Sequence, residues 1–510
     1  MTQFTRRNFL SSAALTLAAT QLRAQPAHRA EASLTLPHEA TGSQMPEDFL
    51  GLSYEVQQLS DPHFFSAENS GLVNAFKRLA PKGVLRLGGN TSEFAYWKPT
   101  PSSPEPEHPK TREVEGEPKA QYYAVTAQAV DNLVEFLKAS GWTCIYGIGM
   151  GTNTPERAAT EAEYVAKALG KRLQYFQIGN EADLFSHHLR DPKTWSAATY
   201  LEEWLGLARA IAARVPGVQL GMPDVAVDVN WLTHIADRWA GIANPPRVTT
   251  LSHHYYFGGP ATNPDVNIPN LLKPATMAKV QHTADIATAA AKKMGVRVRM
   301  TEGNTCYRGG KPGVSNVLAA ALWSADYALL LAHNNYSGVN LHGGTGKSVA
   351  NSVGGVLPGD VMLKEQGLSA AEIERYPHPF YTPIATFGTM YELQPVAYGL
   401  QFANALAGSR LVADDLTAKL QAAGVNATAY AAKRPDGGTT LIVLNKDEEK
   451  DLALTIDFGK DHTKRLEITT MNATALDSRT VHIAHAKGDM HNGRYKTVIP
   501  RASGICLTAK

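Results

Sequence analysis

The stretch LQYFQIGNE at residues 173–181 is a short apolar run that ends abruptly in an amide and a carboxylate. An apolar run of this length, closed by a glycine, is typical of a buried strand in a parallel sheet. The polar ending has two interpretations. Either the strand turns polar where it meets water, or Asn180 and Glu181 are placed there for chemistry.

Seven similar runs occur along the chain, so the stretch is one of a series. The eight runs are FLGLSYE at 49–55, GVLRLGG at 83–89, TCIYGIGM at 143–150, LQYFQIGNE at 173–181, VQLGMPDV at 218–225, VTTLSHHYY at 248–256, VRVRMTEGN at 296–304 and SGVNLHGG at 337–344. Segments with apolar residues at helical spacing lie between them, as at 125–139 and 276–295. The alternation predicts an α/β fold, a (β/α)8 TIM barrel, with a doubly wound sheet as the alternative.

Polar residues cluster where these runs end. They are Glu55, Asn90, Asn180, Glu181, Asp224, residues 253–256, residues 302–304 and His342. In a (β/α)8 barrel the carboxyl ends of the strands meet at one mouth, where active sites form. Most of these side chains are carboxylates, amides or imidazoles, and the pattern therefore predicts a functional mouth.

Composition and the N-terminus restrict the class of protein. Hydrophobic residues make up 44% of the chain and the net charge is +2, which indicates a globular protein and argues against nucleic acid as a partner. Arg6 and Arg7 precede a short apolar run and Ala24 follows it, a pattern typical of a Tat signal peptide at residues 1–25. This predicts a bacterial protein that is periplasmic or secreted and has no membrane span.

The chain after the signal divides into three predicted parts. Residues 26–47 are a linker whose strand ASLTL is expected to join a β domain, and residues 48–395 are the barrel. Residues 396–510 contain short strand-like runs and the hairpin signal RPDGG at 434–438, which predict an all-β sandwich. Irregular segments at 98–119 and 345–380 are either walls of a cleft or solvated insertions.

Neither a cofactor nor a metal is expected. The stretch GIGMGTN at 147–153 has Thr152 where a dinucleotide-binding motif needs glycine, and GGTGKS at 343–348 has Leu341 where a phosphate loop needs its first glycine. The histidine pairs at 187–188 and 253–254 are adjacent, so their rings diverge and cannot ligate one ion together. The three cysteines are far apart, which indicates neither a zinc site nor a disulfide framework.

Two carboxylates remain as candidates for catalysis, Glu181 after the fourth run and Glu302 in the seventh. Hydrolysis of a glycosidic bond needs two carboxyl groups across the scissile bond, one protonated and one ionised. A spacing of about 5 Å allows direct attack on the sugar and retains configuration, whereas about 6.5–9.5 Å admits a water molecule and inverts it.

Several motifs resemble glycoside hydrolase family 79, the β-glucuronidase and heparanase group within the clan of retaining (β/α)8 glycosidases. They are SYEVQQLSDPHFF at 53–65, LRLGGNTSEF at 85–94, GNEADLF at 179–185, SHHYY at 252–256 and MTEGNTCYRGG at 300–310. The resemblance extends over the barrel, from about residue 49 to residue 344. In YRGG, an arginine separates tyrosine from glycine, which departs from the heparanase pattern.

The resemblance implies a role for each matching residue. Glu181 is the general acid/base and Glu302 the nucleophile, while Asn180 binds the sugar 2-hydroxyl. Tyr255 is expected to contact the nucleophile. The remaining candidates receive the substrate: a uronate carboxylate at Tyr307, Gly309 and Gly310, with charge from Arg308, and the sugar pocket at Glu55 and Asn90.

We therefore predict a retaining exo-β-glucuronidase whose partner is a glucuronide or a glycan that contains glucuronic acid. An endo-acting heparanase-like enzyme, a 4-O-methyl-glucuronidase and a neutral-sugar glycosidase of the same clan are alternatives. A further alternative, from a different class, is a non-catalytic periplasmic sugar-binding protein with two open-sheet lobes.

Overall fold

The computed structural model describes residues 28–112, 121–459 and 465–510. The predicted Tat signal at residues 1–25 lies outside these ranges. Within them, the structure contains no helix that combines the length and the apolar character needed to cross a membrane.

Eight parallel strands close into a barrel. Strands one to eight, in chain order, are Leu50–Glu55, Val84–Gly88, Thr143–Ile148, Leu173–Ile178, Leu220–Val225, Val248–Gly258, Arg297–Cys306 and Val339–His342. Each strand pairs with its neighbours in sequence, and strand eight pairs with strand one, as where Asn340 faces Gly51. The (β/α)8 prediction is confirmed, and the alternatives of a doubly wound sheet and of two open-sheet lobes are wrong.

Helices cover the outside of the barrel. They are Ser70–Leu79, Ala127–Ser140, Pro155–Leu169, Ala197–Arg214, Asn230–Trp239, Pro274–Met294, Leu318–His333 and Pro395–Ala403. Helix Pro155–Leu169 illustrates why these segments fold: the Thr154 hydroxyl caps its first turn, Pro155 sits where no N–H is needed, and alanine, valine and leucine residues are buried along one face. These faces and the outward side chains of the strands form the main apolar core.

The last of these helices lies beyond the predicted end of the barrel at residue 395. Helix Pro395–Ala403 packs against Leu318–His333, and the Ser324 hydroxyl donates to the Val396 carbonyl at 3.0 Å. The helical layer of the barrel therefore extends to about residue 403 rather than stopping at 395.

Shorter elements lie in the connections. They are the 3-10 helices Val56–Ser60, Asn90–Phe94, Gly170–Arg172, Ala182–His187 and Asn404–Leu406, the helices Ile268–Leu272, Gly346–Ser352, Pro358–Glu365 and Ala370–Ile373, and the paired strands Ala95–Lys98 with Tyr123–Thr126 and Ile384–Phe387 with Met390–Leu393. Three of the 3-10 helices follow directly on strands one, two and four, at the mouth of the barrel.

Two sheets pack against each other after the barrel. The six-stranded sheet has the order Arg410–Leu411, Ala427–Lys433, Thr439–Asn445, Ser503–Ala509, Arg465–Asn472 and His482–Asp489, and the three-stranded sheet has the order His28–Thr35, Lys450–Asp457 and Arg494–Ile499. They share a second apolar core, to which helix Leu416–Ala422 contributes. The first strand of the described chain thus belongs to this C-terminal β-sandwich, where it runs parallel to Lys450–Asp457.

The interior of the barrel is polar over much of its height. Buried polar side chains on its strands include Ser53, Arg86, Gln177, Thr250, Ser252, Arg299, Thr301 and Asn340. Some of them bond across the barrel, as where the Ser252 hydroxyl donates to Gln177 Oε1 at 3.2 Å. Barrels of this type are usually filled by valine, isoleucine and leucine. These buried polar side chains continue along the strands to the mouth of the barrel.

Candidate active site

Glu181 and Glu302 meet at the mouth of the barrel. Glu181 follows strand four, Glu302 lies in strand seven, and one carboxylate oxygen of each is within 4.8 Å of the other. Carboxyl groups in retaining glycosidases are about 5–5.5 Å apart, and those in inverting enzymes about 6.5–9.5 Å. The spacing fits direct attack by one carboxylate and leaves no room for an intervening water molecule.

Irregular backbone aims these carboxylates at each other. Glu181 has φ 51°, in the left-handed region that non-glycine residues rarely adopt, and its N–H donates to the Asp224 carbonyl at 2.8 Å. The register of strand seven shifts between Met300 and Glu302, and that of strand five shifts between Pro223 and Val225. Such bulges redirect side chains beside active sites, which accounts for the convergence of Asp224 and Glu302.

Arg86 links the nucleophile candidate to two further residues. From strand two its guanidinium donates to Glu302 Oε2 at 2.5 Å, to Asp224 Oδ2 and to Asn180 Oδ1 at 2.7 Å. Gly88 makes room for it, because a Cβ at that position would lie 2.1 Å from the guanidinium carbon. The Arg86 and Asp224 side chains are fully buried, so their charges interact in a medium of low dielectric constant.

His254 links Glu181 to Asp224. Its Nδ1 lies 2.9 Å from Glu181 Oε1, and its Nε2 lies 3.2 Å from Asp224 Oδ2. An ionised carboxylate only accepts hydrogen bonds, which favours an imidazole protonated on both nitrogens. Burial opposes that charge, but Asp224 and then Glu302 outweigh burial and raise the pKa of His254 to about 10.

We call the five side chains Glu181, His254, Asp224, Arg86 and Glu302 the charge ring, because each contacts the next and the last returns to the first. The pKa values of its two glutamates move apart. Burial raises the pKa of Glu181, helped by the charge of Glu302 and opposed by His254. Burial also disfavours ionised Glu302, but the charges of His342, His254 and Arg86 outweigh it and lower the pKa of that carboxyl.

The ring therefore favours a protonated Glu181 beside an ionised Glu302. Two carboxyl groups whose pKa values differ in this way can supply one proton donor and one nucleophile.

The tyrosine that contacts Glu302 is Tyr256, which corrects the contact predicted for Tyr255. The Tyr256 hydroxyl donates to Glu302 Oε1 at 2.9 Å. Tyr255 instead stacks on Tyr327 of the outer helical layer, with ring centroids 5.3 Å apart. Neighbouring side chains on a strand face opposite sides, so a shift of one residue exchanges the barrel interior for the helical layer.

Three other predicted residues lie around the ring. Asn180 is buried, and its Nδ2 donates to Asn90 Oδ1 at 3.3 Å, which brings the exposed Asn90 to the same mouth. Glu55 accepts from the Thr91 N–H at 3.0 Å and lies 3.5 Å from His342 Nε2. The ends of strands one, two, four and eight therefore contribute to one polar surface.

The turn after strand seven contains the remaining predicted residues. Arg308, Gly309 and Gly310 have φ values of 58°, 91° and 85°, a conformation that suits glycine. The Tyr307 ring is 41% exposed and makes an edge contact with the Tyr256 ring, with centroids 6.4 Å apart. Tyr256 thus links this turn to Glu302.

Glu93 is a buried carboxylate at the mouth that the sequence did not single out. It accepts from the N–H groups of Asn180 at 2.7 Å, Met150 at 2.8 Å and Gly151. Burial raises its pKa to about 7 against these hydrogen bonds. Glu93 therefore fixes the backbone that carries Asn180, and its position just after LRLGGN was the only sequence signal for it.

One group at the site has the spacing of metal ligands. Glu181, His254 and Glu302 each offer one atom, and these atoms lie within 4.8 Å of one another. His254 Nδ1 faces Glu181, however, and Arg86 faces Glu302, so side-chain cations already oppose the negative charge. The arrangement is an acid–base cluster.

Comparison with known proteins gives two related results. The chain is 27% identical to a β-glucuronidase of Aspergillus niger over an alignment of 314 residues. The alignment covers 56% of this chain and 55% of that protein. The chain is 26% identical over 332 residues to a β-glucuronidase of Neurospora crassa, covering 58% and 57%. The matches thus span little more than half the length of each relative. No family model matches the chain.

Solved structures share the fold over nearly the whole chain. A 4-O-α-L-rhamnosyl-β-D-glucuronidase from Fusarium oxysporum 12S superposes with a TM-score of 0.68 at 16% identity, covering 93% of this chain and 100% of that one. A GH51 arabinofuranosidase from Xanthomonas axonopodis pv. citri gives 0.63 at 14% identity, covering 94% and 100%. Together with the site motifs, these findings confirm that the chain resembles the β-glucuronidases of glycoside hydrolase family 79.

Proposed function

We propose that the protein is a retaining exo-β-glucuronidase, which removes terminal β-linked glucuronic acid from a glucuronide or glycan. The observation that carries the proposal is the pair of oxygens from Glu181 and Glu302 within 4.8 Å of each other. The similarity to two proteins named β-glucuronidase supports the choice of sugar.

In the first step Glu302 attacks the anomeric carbon while Glu181 protonates the leaving oxygen. The bond from Glu302 to carbon forms as the glycosidic bond breaks, and the proton of Glu181 leaves with the aglycone. Tyr256 and Arg86 hold the attacking carboxylate in place. Asn180 is the candidate to bind the sugar 2-hydroxyl, an interaction that strengthens as the oxocarbenium-like state develops.

In the second step water hydrolyses the glycosyl-enzyme. Glu181, now ionised, takes a proton from water, the water oxygen bonds to the anomeric carbon, and Glu302 leaves as a carboxylate. Both attacks invert the anomeric carbon, so the product retains the β configuration.

The turn at residues 307–310 supports recognition of a uronate. Successive backbone N–H groups in a turn with left-handed residues form a concavity for anions, and glycine allows a close approach. Gly309 and Gly310 adopt such a conformation, and Tyr307 of the same turn contacts the ring of Tyr256, which donates to Glu302. Lys311 adds a cation on the same turn, with its Nζ anchored on the Asn263 carbonyl at 3.1 Å.

The segment after strand eight supports an exo mode of attack. It reaches Asn90, whose Nδ2 donates to the Ser352 carbonyl at 3.3 Å, and it reaches Gly309, whose carbonyl accepts from the Phe380 N–H at 2.8 Å. A wall that contacts the ends of strands two and seven closes one side of the mouth, as a site for a terminal sugar requires.

The proposed setting is outside the cytoplasm of a bacterium, in the periplasm or secreted. The support is the Arg6–Arg7 pair with the apolar run that follows it.

Two measurements test the proposed reaction. We expect hydrolysis of p-nitrophenyl β-D-glucuronide well above that of the matching glucoside and xyloside. We also expect azide to restore activity to Glu181→Ala on this substrate, with a β-glucuronyl azide as product. An activated leaving group needs no proton in the first step, and azide attacks the glycosyl-enzyme in place of water without needing a base in the second. An enzyme that prefers the glucoside, or a variant that azide does not rescue, would contradict the proposal.

A further inference from the structure

The charge ring contains two cations and three carboxyl groups. His254 and Arg86 each contact two carboxylates, and Asp224 contacts both cations. Asp224 is completely buried and lies behind His254 and Arg86, whereas Glu181 and Glu302 are partly accessible at the mouth. In the proposed reaction these two glutamates make and break the bonds and transfer the proton, and no step is assigned to the His254–Asp224 pair.

We propose that Asp224 keeps His254 doubly protonated, so that His254 is a fixed cation beside both glutamates while one negative charge moves between them in each turnover. In this view His254 and Asp224 are positioning residues that act through Glu181 and Glu302. The inference rests on the proposed function and adds to it the means by which the site tolerates the movement of charge.

The reaction conserves the charge of the ring. In the free enzyme Glu302 and Asp224 are negative, Arg86 and His254 are positive, and Glu181 is protonated, so the ring is neutral. In the glycosyl-enzyme Glu302 is an uncharged ester and Glu181 has given up its proton, so the ring is neutral again. Hydrolysis returns the proton to Glu181 and the charge to Glu302. Glu181 and Glu302 are the members of the ring whose charge changes, Glu181 by proton transfer and Glu302 by forming and breaking the ester.

The position of His254 suits a cation that serves both states. The same nitrogen, Nδ1, lies 2.9 Å from Glu181 Oε1 and 4.0 Å from Glu302 Oε1. A fixed charge in a buried site stabilises whichever carboxylate is negative without reorganisation of solvent. A neutral imidazole with Nδ1 unprotonated would instead repel the ionised Glu181 of the glycosyl-enzyme.

The contacts of Asp224 explain why His254 keeps its second proton. Asp224 Oδ2 accepts a hydrogen bond from Arg86 Nη2 and forms an ion pair with His254 through Nε2. Its other oxygen, Oδ1, accepts from the Thr301 hydroxyl. Burial alone would favour protonation of this carboxyl, but Arg86 and then His254 lower its pKa well below the usual range. Asp224 therefore stays ionised and gives His254 a permanent acceptor.

Other titratable groups near His254 do not replace it. His342 lies 3.4 Å from Glu302 Oε2 on the far side of that carboxylate, and its other nitrogen faces Glu55. His253 points away to Tyr336, and burial lowers its pKa to about 4. Asp183, which adds to the raised pKa of Glu181, is held by three backbone N–H groups of residues 226–228.

The first test observes His254 itself and needs no substrate. With 15N-labelled histidine, NMR should show His254 as an imidazolium with both nitrogens protonated at pH 8, assigned by the loss of its signals in His254→Gln. In Asp224→Asn the pKa of His254 should fall by about 1 unit or more, because the nearest opposite charge is gone. A neutral His254 in the wild-type protein at pH 8 would overturn the inference, and this result does not depend on whether Asp224→Asn folds.

The second test uses the pH dependence of kcat/KM. The charge of His254 lowers the pKa of both glutamates. His254→Gln keeps a donor for Glu181 but removes the charge, so both limbs of the bell-shaped profile should move to higher pH by about 1 unit. Glu161→Gln is the matched control, a buried carboxyl on an outer helix bonded to Tyr146, and should leave both limbs in place.

The outcomes separate this inference from the proposed function. A reduced kcat with unmoved limbs in His254→Gln would mean that His254 only supports the structure, and the inference would be wrong while the glucuronidase proposal stands. Absence of glucuronide hydrolysis by the wild-type protein would remove the proposed function, and the NMR result would still decide the protonation of His254.

Discussion

The two buried arginines of the barrel interior occupy opposite ends and have different surroundings. Arg86, near the mouth, forms ion pairs with Asp224 and Glu302. Arg299, near the other end, donates to neutral oxygens: Asn340 Oδ1 at 2.7 Å, the Ser337 carbonyl at 3.0 Å and the Phe49 carbonyl at 3.4 Å. Among the residues that the structure describes, Arg299 has no carboxylate partner within ion-pair distance.

Arginine therefore serves two different purposes in one barrel. The carbonyls around Arg299 satisfy its hydrogen bonds but supply no opposite charge, and burial lowers its pKa. The carboxylates around Arg86 outweigh burial and raise its pKa. Arg299 therefore ties strands together at the closed end, whereas Arg86 favours the ionised form of two carboxyl groups at the candidate active site. Changes near the mouth should affect turnover, and changes at the other end should affect stability.

The largest expected effect is that of Glu302→Gln at the mouth. Loss of the nucleophile should lower kcat by roughly 10⁴-fold or more. The variant should still fold, because Arg86 keeps Asp224 as a partner. Steady-state kinetics on p-nitrophenyl β-D-glucuronide and circular dichroism check this, with Glu161→Gln as the control for replacing a buried carboxyl by an amide. Substantial turnover by Glu302→Gln would exclude this residue as the nucleophile.

A matched pair of arginine variants tests the comparison directly. Arg86→Met removes the cation that two buried carboxylates share and should lower the free energy of unfolding by about 3–5 kcal/mol, with loss of turnover. Arg299→Met leaves only neutral acceptors and should lower it by about 1–3 kcal/mol, while the folded fraction keeps its kcat. Urea unfolding and active-site titration measure both quantities. If Arg299→Met removed turnover without unfolding, the two ends would not be distinct.

The smallest effect concerns Glu161, a buried carboxyl outside the barrel that has no ion-pair partner within residues 28–112, 121–459 and 465–510. It accepts from the Tyr146 hydroxyl at 2.8 Å, and burial raises its pKa from 4.5 to about 7. Because the folded value exceeds the unfolded one, ionisation destabilises the folded state progressively from pH 4.5 to 7 and by a constant amount above.

Glu161→Gln should therefore raise the free energy of unfolding by about 1–2 kcal/mol at pH 8 and have little effect at pH 4.5. Urea midpoints at the two pH values check this. An equal change at both would mean that packing, and not charge, decides the outcome at this position.

The barrel was predictable because its strands are short apolar runs that repeat between helical segments. The two glutamates were predictable because both stand at strand ends, within motifs that resemble those of one family. Arg86 was not, since its partners Asp224 and Glu302 are 138 and 216 positions away along the chain. A charged residue in an apolar run gives no sign of whether it faces the interior or the helices.

The choice between Tyr255 and Tyr256 depended on register, which sequence periodicity does not resolve to one residue. The strands on either side contain bulges, between Pro223 and Val225 and between Met300 and Glu302. Each bulge breaks the alternation that would otherwise tell inward from outward side chains. The sites at which the prediction by pattern failed are thus those where the backbone departs from regular strand geometry.

The pairing of His28–Thr35 with Lys450–Asp457 has a consequence for biosynthesis. All eight barrel strands lie between these two segments, so a nascent chain can close the barrel while the partner of its first described strand has yet to leave the ribosome. Until then the edge that Lys450–Asp457 will cover is also open, and an open edge is a template for association with other chains. Interrupted translation would therefore release a species that aggregates through this edge, even where its barrel has formed.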